Sequence, residues 1–146
     1  MTLSLVELTP DNIDAACRVD VKPEQQTFVA SVVDTLAQAY VHYGTAWARL
    51  MLDDDRVVGF VMGNFDPDSE IEAFCTSIWR LNIAADEQRR GYGRYAVEAF
   101  AAEARRRGAT RCCGSRVMAA RNFYLRIGFT PTGEVFGGEI VGELML

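Results

Sequence analysis

The segment Gln88-Arg89-Arg90-Gly91-Tyr92-Gly93-Arg94 sets three arginines and two glycines between an apolar stretch, Trp79 to Ile83, and a long amphipathic one. A glycine-rich turn that leads from a strand into a helix leaves backbone N–H groups unpaired and pointing outward. The helix dipole adds partial positive charge at the same end, and the arginines add full charges. Gly91 and Gly93 allow positive φ or a close approach to phosphate without a Cβ in the way. The chemistry such a segment offers is capture of a pyrophosphate. The bland alternative is a loop with two glycines and solvated arginines. The spacing is neither the dinucleotide-binding fingerprint nor a phosphate-binding P-loop.

A second segment, Phe123-Tyr124-Leu125-Arg126-Ile127-Gly128-Phe129, follows about 30 residues later and places a tyrosine ahead of a Gly-Phe pair. Taken together and in this order, the two segments resemble the signatures of the Gcn5-related N-acetyltransferases. In that family the first follows a strand and holds the pyrophosphate of acetyl-coenzyme A, and the second is a Tyr-x-x-x-Gly-Phe phrase. The resemblance covers roughly residues 45–146 well and the first 44 more loosely. It implies an α/β fold, with a mixed, twisted sheet of about six or seven strands flanked by about four helices.

Site residues follow from the same resemblance. Leu81, Asn82 and Ile83 would offer backbone groups to the pantetheine arm, which lies in a gap where this strand parts from the next. Gln88, Arg89, Arg90, Gly91, Tyr92, Gly93 and Arg94 would surround the pyrophosphate. Tyr124 would be the acid that protonates the departing thiolate, and the Ile83 backbone N–H would hold the developing oxyanion. A thiol of pKa about 8.5 leaves more easily beside a proton donor, and a phenol of pKa about 10 is protonated at neutral pH. The alternative for Tyr124 is a core aromatic. An alkylammonium of pKa about 10.4 must first lose a proton to attack. Glu70, Glu72 and Glu139 are candidates to take it, alone or through water, although each reads first as a surface carboxylate.

The resemblance implies a small-molecule primary amine as the acceptor. Gln26-Thr27-Phe28-Val29-Ala30-Ser31, Leu36-Ala37-Gln38-Ala39-Tyr40 and the Gly-Glu and Ile-Val pairs of the last 14 residues resemble the bacterial spermidine/spermine (diamine) acetyltransferases. That points to a polyamine. An aminoglycoside, an amino acid or a protein N-terminus stands as the other acceptor class, and a non-catalytic coenzyme-A-binding sensor as the reading of another kind. Two departures matter. Val117 stands where the family usually has an asparagine, and Ala84-Ala85 where it commonly has Asp-Pro. Asn122 could take over a coenzyme contact.

Composition narrows the field further. The chain has 146 residues, 49% of them hydrophobic and 24% charged, which suits one domain over 1–146 with a core of its own. A net charge of −5 disfavours a nucleic-acid binder. The four cysteines, Cys17, Cys75, Cys112 and Cys113, make neither a C-x-x-C nor a metal-ligand spacing, so no metal is expected and the thiols read as reduced. The single histidine, His42, reads as a helix-end residue. No apolar run is long enough to span a membrane, and no leader is evident, so a cytoplasmic location is expected. Relatives often pair through their terminal strands, which makes a homodimer an open expectation.

These residues need positioning elements. Leu3 to Glu7 alternates as a strand, and Thr9-Pro10 opens a short helix. Lys22-Pro23 opens a second, whose apolar Phe28, Val29, Val32, Val33, Leu36 and Tyr40 share one face as far as Gly44. Strands from Thr45 to Leu52 and from Arg56 to Asn64 flank a polar turn, Asp53 to Asp55, and the second is apolar enough to be central. A strand runs from Ala73 to Ile83, and a helix from Tyr95 to Arg107. Arg105-Arg106-Arg107 before Gly108 reads as a cationic helix end with a left-handed cap; a basic patch for the adenosine 3′-phosphate or nucleic acid is the rival. A strand from Thr110 to Gly114, a helix from Val117 to Ile127 and two strands, from Gly133 to Phe136 and from Glu139 to Leu146, complete the chain.

Overall fold

The computed structural model describes residues 2–27, 29–114 and 121–146, without the side chain of Arg121. Phe28 and Val117 lie outside the described residues. Seven strands form one sheet: β1 (Leu3–Val6), β2 (Ala46–Asp53), β3 (Arg56–Phe65), β4 (Thr76–Ile83), β5 (Arg111–Gly114), β6 (Thr130–Phe136) and β7 (Glu139–Met145). Their spatial order is β1-β2-β3-β4-β5-β7-β6. Every neighbouring pair is antiparallel except β4 and β5, which run parallel. The helices are α1 (Ile13–Cys17), α2 (Val32–Val41), α3 (Tyr92–Arg106) and α4 (Arg121–Ile127).

The central strand shows why the sheet carries helices on both faces. All residues of β3 from Val58 to Phe65 are buried, as the unbroken apolar run requires. Phe60 and Met62 pack with Leu50 and with Ala16 of α1 and Val32 of α2. Val61 and Phe65 face the opposite way, onto Val97 and Phe100 of α3. The side chains alternate between the two cores with the period of the pleat. Phe100 stacks on Phe65 at 5.1 Å and meets Trp47 edge-on at 5.7 Å. It reaches that position only because residue 63 is glycine: a Cβ there would lie 2.1 Å from Phe100 Cε2.

Several boundaries differ from the sequence reading, most by a residue or two. The single helix expected from Lys22 to Gly44 is two pieces, a 3₁₀ turn at Pro23–Gln25 and then α2. The Gln25 side chain folds back to accept from Lys22 N–H and closes the first piece. Ser31 starts the second, its Oγ accepting from Asp34 N–H at 3.1 Å. α3 begins at Tyr92, three residues early, because Gly91 at φ 84° caps it. Strand β4 starts at Thr76, after a 3₁₀ turn at Glu72–Phe74. Strand β6 starts at Thr130; it is an outer strand, which tolerates Pro131. His42 does sit at a helix end, following α2, with its ring edge-on to Trp79 at 5.3 Å. All four cysteines are free thiols.

The C-terminal end of α3 is a cap. Gly108 has φ 88° and Ala109 N–H returns to Ala104 O. Arg106 and Arg107 both engage Glu103, and Arg107 also lies over the Phe65 ring at 3.9 Å. A helix of 15 residues is about 22 Å long, so this basic end lies far from the glycine turn at the other. It is not placed to receive a phosphate of a ligand bound at that turn.

Two outcomes follow. Gly63→Ala overfills the core at Phe100 and lowers unfolding free energy by about 1–3 kcal/mol in a urea titration. Glu103 is held at about 2, first by the hydrogen bond from Arg106, with burial opposing and Arg107 adding to it. Its folded pKa lies below the unfolded 4.5, so its stabilisation is full above about pH 4.5 and is lost as pH falls towards 2. Its arginine partners are exposed, so solvent screening holds the effect to about 1 kcal/mol. Glu103→Gln therefore lowers stability by that amount at pH 7, and the gap from the parent closes between pH 4.5 and 2 in acid-unfolding curves.

Candidate active site

The site begins with a break in the sheet. In register, Met62 faces Arg80 and Gly63 faces Ile78, so Trp79 is an extra residue in β4. Such a bulge bends its strand. On the other side, among the described residues, β4 pairs with β5 only at Ser77↔Cys113. Beyond that point the two strands separate. The edge of β4 from Ile78 to Ile83 has no strand ladder towards β5, and backbone groups inside a fold need partners.

A cavity of about 850 Å³ fills the gap. Ile78, Trp79, Arg80, Leu81 and Ile83 form one wall; Gly114 with Phe123, Tyr124 and Ile127 of α4 form the other. Val21, Gln25 and Val29 close one side. Glu87, Gln88, Arg89 and Gly91 to Arg94 form an end of opposite character, rich in positive charge.

That end is built for an anion. Arg89 has φ 64° and Gly91 φ 84°. The first helical hydrogen bond of α3 runs from Tyr95 N–H to Gly91 O, and no side chain caps the helix. The first turn holds no acidic residue. The dipole and the amides of Tyr92, Gly93 and Arg94 are thus left to a ligand. Arg89 and Arg126 lie exposed at the cavity rim, and Arg94 donates to Glu98 and to Arg126 O. Gly93 has a packing role as well: a Cβ there would come within 2.9 Å of the Phe123 ring. It lets α4 approach α3 where the cavity narrows.

Several of the residues singled out in the sequence face elsewhere. The Gln88 amide donates to Gln25 Oε1 at 2.7 Å and to Ile83 O at 3.0 Å. Its side chain is therefore a strut between the turn, β4 and the Pro23–Gln25 segment. Tyr92 is 2% exposed, and its hydroxyl donates to Asp53, so only its backbone can serve the cavity. Arg90 is paired with Glu87 at 3.4 Å and does not line the cavity. Asn82 is buried on the far side, donating to Ala30 O at 2.9 Å. Leu81, Ile83, Gln88, Arg89, Gly91, Tyr92, Gly93 and Arg94 line the cavity.

Tyr124 lines it too. Its ring is gripped edge-on by Phe123 at 5.0 Å and Phe129 at 5.2 Å. Burial, with the neighbouring Cys112 thiol adding to it, pushes the phenol up to about 12. The hydroxyl is a proton donor throughout the neutral range. Burial also pushes the Cys112 thiol up to about 12 and raises Cys113, so neither is a ready thiolate nucleophile.

The carboxylates expected as bases lie elsewhere. Glu72 pairs with Arg111 and lines a separate, smaller cavity. Neither Glu70 nor Glu139 lines the large cavity, and Asn122 is exposed outside it. Glu87 is the one carboxylate among the described lining residues, and Arg56 and Arg90 both hold it. Among the described residues no cluster of His, Cys, Asp and Glu could hold a metal ion, and no helix is long and apolar enough to cross a membrane.

The profile of the Acetyltransferase (GNAT) family matches residues 12–129. No curated protein sequence matches the chain. Among solved structures, an acetyltransferase from Thermus thermophilus is similar over 100% of this chain and 98% of its own, with 23% identity and a TM-score of 0.78. The PaiA N-acetyltransferase from Thermoplasma acidophilum, solved with coenzyme A, is similar over 100% of both chains, with 13% identity and a TM-score of 0.72. The ribosomal-protein-S18-alanine N-acetyltransferase from Escherichia coli is similar over 99% of this chain and 94% of its own, with 20% identity and a TM-score of 0.71.

Proposed function

This chain belongs to the GNAT acetyltransferase family, a family of acyltransferases that use acetyl-coenzyme A, and from that premise we propose that it acetylates a primary amine whose remaining structure carries no second positive charge. The observation that carries the proposal is the cavity between β4 and β5. One end offers unpaired amides and arginines, and the far walls are largely apolar.

Acetyl-coenzyme A fits those walls as cosubstrate and supplies an activated thioester. The amides of Tyr92, Gly93 and Arg94, with Arg89 beside them, would receive the pyrophosphate. The open edge of β4 around Leu81 and Ile83 would pair with the amide-bearing pantetheine arm, as an added strand does. The backbone of the bulge at Trp79 or the N–H of Ile83 would hold charge developing on the carbonyl oxygen. Attack by the amine nitrogen forms the new C–N bond, and the C–S bond breaks. Tyr124 gives its proton to the departing sulfur, and the nitrogen loses its own to water. With Glu87 held by two arginines, a water chain suits this last step better than a carboxylate.

The acceptor reading turns on charge. Among the described lining residues Arg80 stands on the β4 wall, away from the anion end that Arg89, Arg94 and Arg126 serve, and the single carboxylate, Glu87, is held by Arg56 and Arg90. A polyamine would bring at least one further ammonium to this wall. An α-amine of an amino acid or peptide would not, and the similar Escherichia coli enzyme is named for an alanine acceptor. The polyamine reading, carried by the sequence phrases in and before α2 and at the chain end, is the second reading.

The test is acetylation of a panel of spermidine, spermine, putrescine, aminoglycosides, amino acids and peptides, read by product mass. The expected products are acetylated amino acids or peptides. Acetylated polyamines alone would reverse the acceptor assignment. Binding of coenzyme A with no product on any amine would favour a sensor module. On the accepted amine, Tyr124→Phe lowers kcat by about 10²-fold or more, the usual contribution of a positioned acid, with little change in the affinity for coenzyme A. An unchanged kcat would remove Tyr124 from the chemistry.

A further inference from the structure

The four residues of the glycine turn, from Gln88 to Gly91, are suspended between two anchors that both lead to the β2–β3 hairpin. Asp53 and Arg56 are the register pair that closes this hairpin. Tyr92, the first residue of α3, donates its hydroxyl to Asp53 Oδ2 at 2.5 Å. Asp53 is 8% exposed and Tyr92 2%, so this bond is shielded from water. Arg56 Nη2 donates to the same hydroxyl at 3.3 Å and to Asp53 Oδ2 at 3.5 Å. At the other end of the turn, Arg56 Nε meets Glu87 Oε1 at 3.1 Å, and Glu87 Oε2 meets Arg90 at 3.4 Å. Arg56 therefore joins the residue just before the turn to the residue just after it.

We propose that the side chains of Asp53, Arg56 and Tyr92 are positioning groups for the coenzyme: they fix the span of the turn and so set its affinity for the pyrophosphate, without themselves touching the ligand. The turn needs such support, because Arg89 is a non-glycine residue at positive φ, a conformation that surrounding structure must enforce. The phenol of Tyr92 is not needed to fill space differently from a phenylalanine. Its hydroxyl spends its one proton on a carboxylate 39 residues away, and that carboxylate sits at the tip of a different element. A turn held open in its binding geometry pays less ordering entropy when the ligand arrives. The inference rests on the coenzyme reading given above.

The experiment is calorimetric titration of coenzyme A into the parent protein, Tyr92→Phe, Asp53→Asn, Arg56→Ala and Arg56→Lys, with thermal melting of each. Tyr92→Phe keeps the ring in the core and deletes only the hydroxyl. The expected result is a Kd for coenzyme A weakened about fivefold to tenfold in Tyr92→Phe, Asp53→Asn and Arg56→Ala, measured well below each melting point. Arg56→Lys, which keeps the charge, recovers part of it. Lower melting points with the parent's Kd would mean that the network only stabilises the fold, and would overturn the proposal. A parent protein that binds no coenzyme A would overturn the coenzyme reading and this inference with it.

Discussion

Everything at the site depends on one defect in the sheet: β4 and β5 share a single register pair and then part. Parallel neighbours in the middle of a sheet normally stay paired, since an abandoned backbone donor or acceptor inside a protein costs more than a hydrogen bond gains. Here the extra residue Trp79 bends β4 away while β3 still holds its other edge. The strand is therefore held by β3 on one side and, among the described residues, has no strand ladder beyond Ser77 on the other. A ligand able to complete a ladder there gains backbone hydrogen bonds.

The rest of the architecture can be read as support for that open edge. Antiparallel β1, β2 and β3 form a continuous base, and the α3 face is sealed by Phe100 fitting over Gly63. α3 brings its N-terminus to one end of the gap, and Gly93 lets Phe123 of α4 close against it. Gln88 ties the turn to Ile83 and to Gln25, so the wall beside the acceptor end and the anion end share a hydrogen-bonded partner. Charge is sorted in the same way. Cations at the C-terminal end of α3 are used on Glu103 and on the helix dipole, whereas Arg89 and Arg94 at the N-terminal end line the cavity.

The turn was legible in the sequence because it is a local pattern, a glycine that starts a helix, whereas Tyr124 was singled out by the resemblance of its Tyr-x-x-x-Gly-Phe phrase. The central strand was equally plain, since eight consecutive buried residues leave an apolar run with no alternation. What stayed hidden was direction and distance. Gln88 and Tyr92 belong to the motif, yet their side chains turn to Gln25 and Asp53, 63 and 39 residues away, and no spacing rule reports such contacts. Asp53 looked like one of three solvated turn carboxylates. The break before α2 did leave a signal in Ser31 with Asp34 three residues on, a helix-start pattern that the continuous apolar face masked. The base stayed undecided in the sequence for a different reason: acidic residues are common on surfaces, and only the packed structure shows which of them line a cavity.

The most direct measurement is hydrogen exchange of backbone amides with and without coenzyme A, resolved to single residues. If the open edge of β4 and the glycine turn hold the coenzyme, exchange slows at Leu81 to Ile83 and at Arg89 to Arg94. Amides of β1 and β6, far across the sheet, keep their rates. Protection confined to other segments, or none at saturating coenzyme A, would contradict the assignment of this gap as the acetyl-donor site.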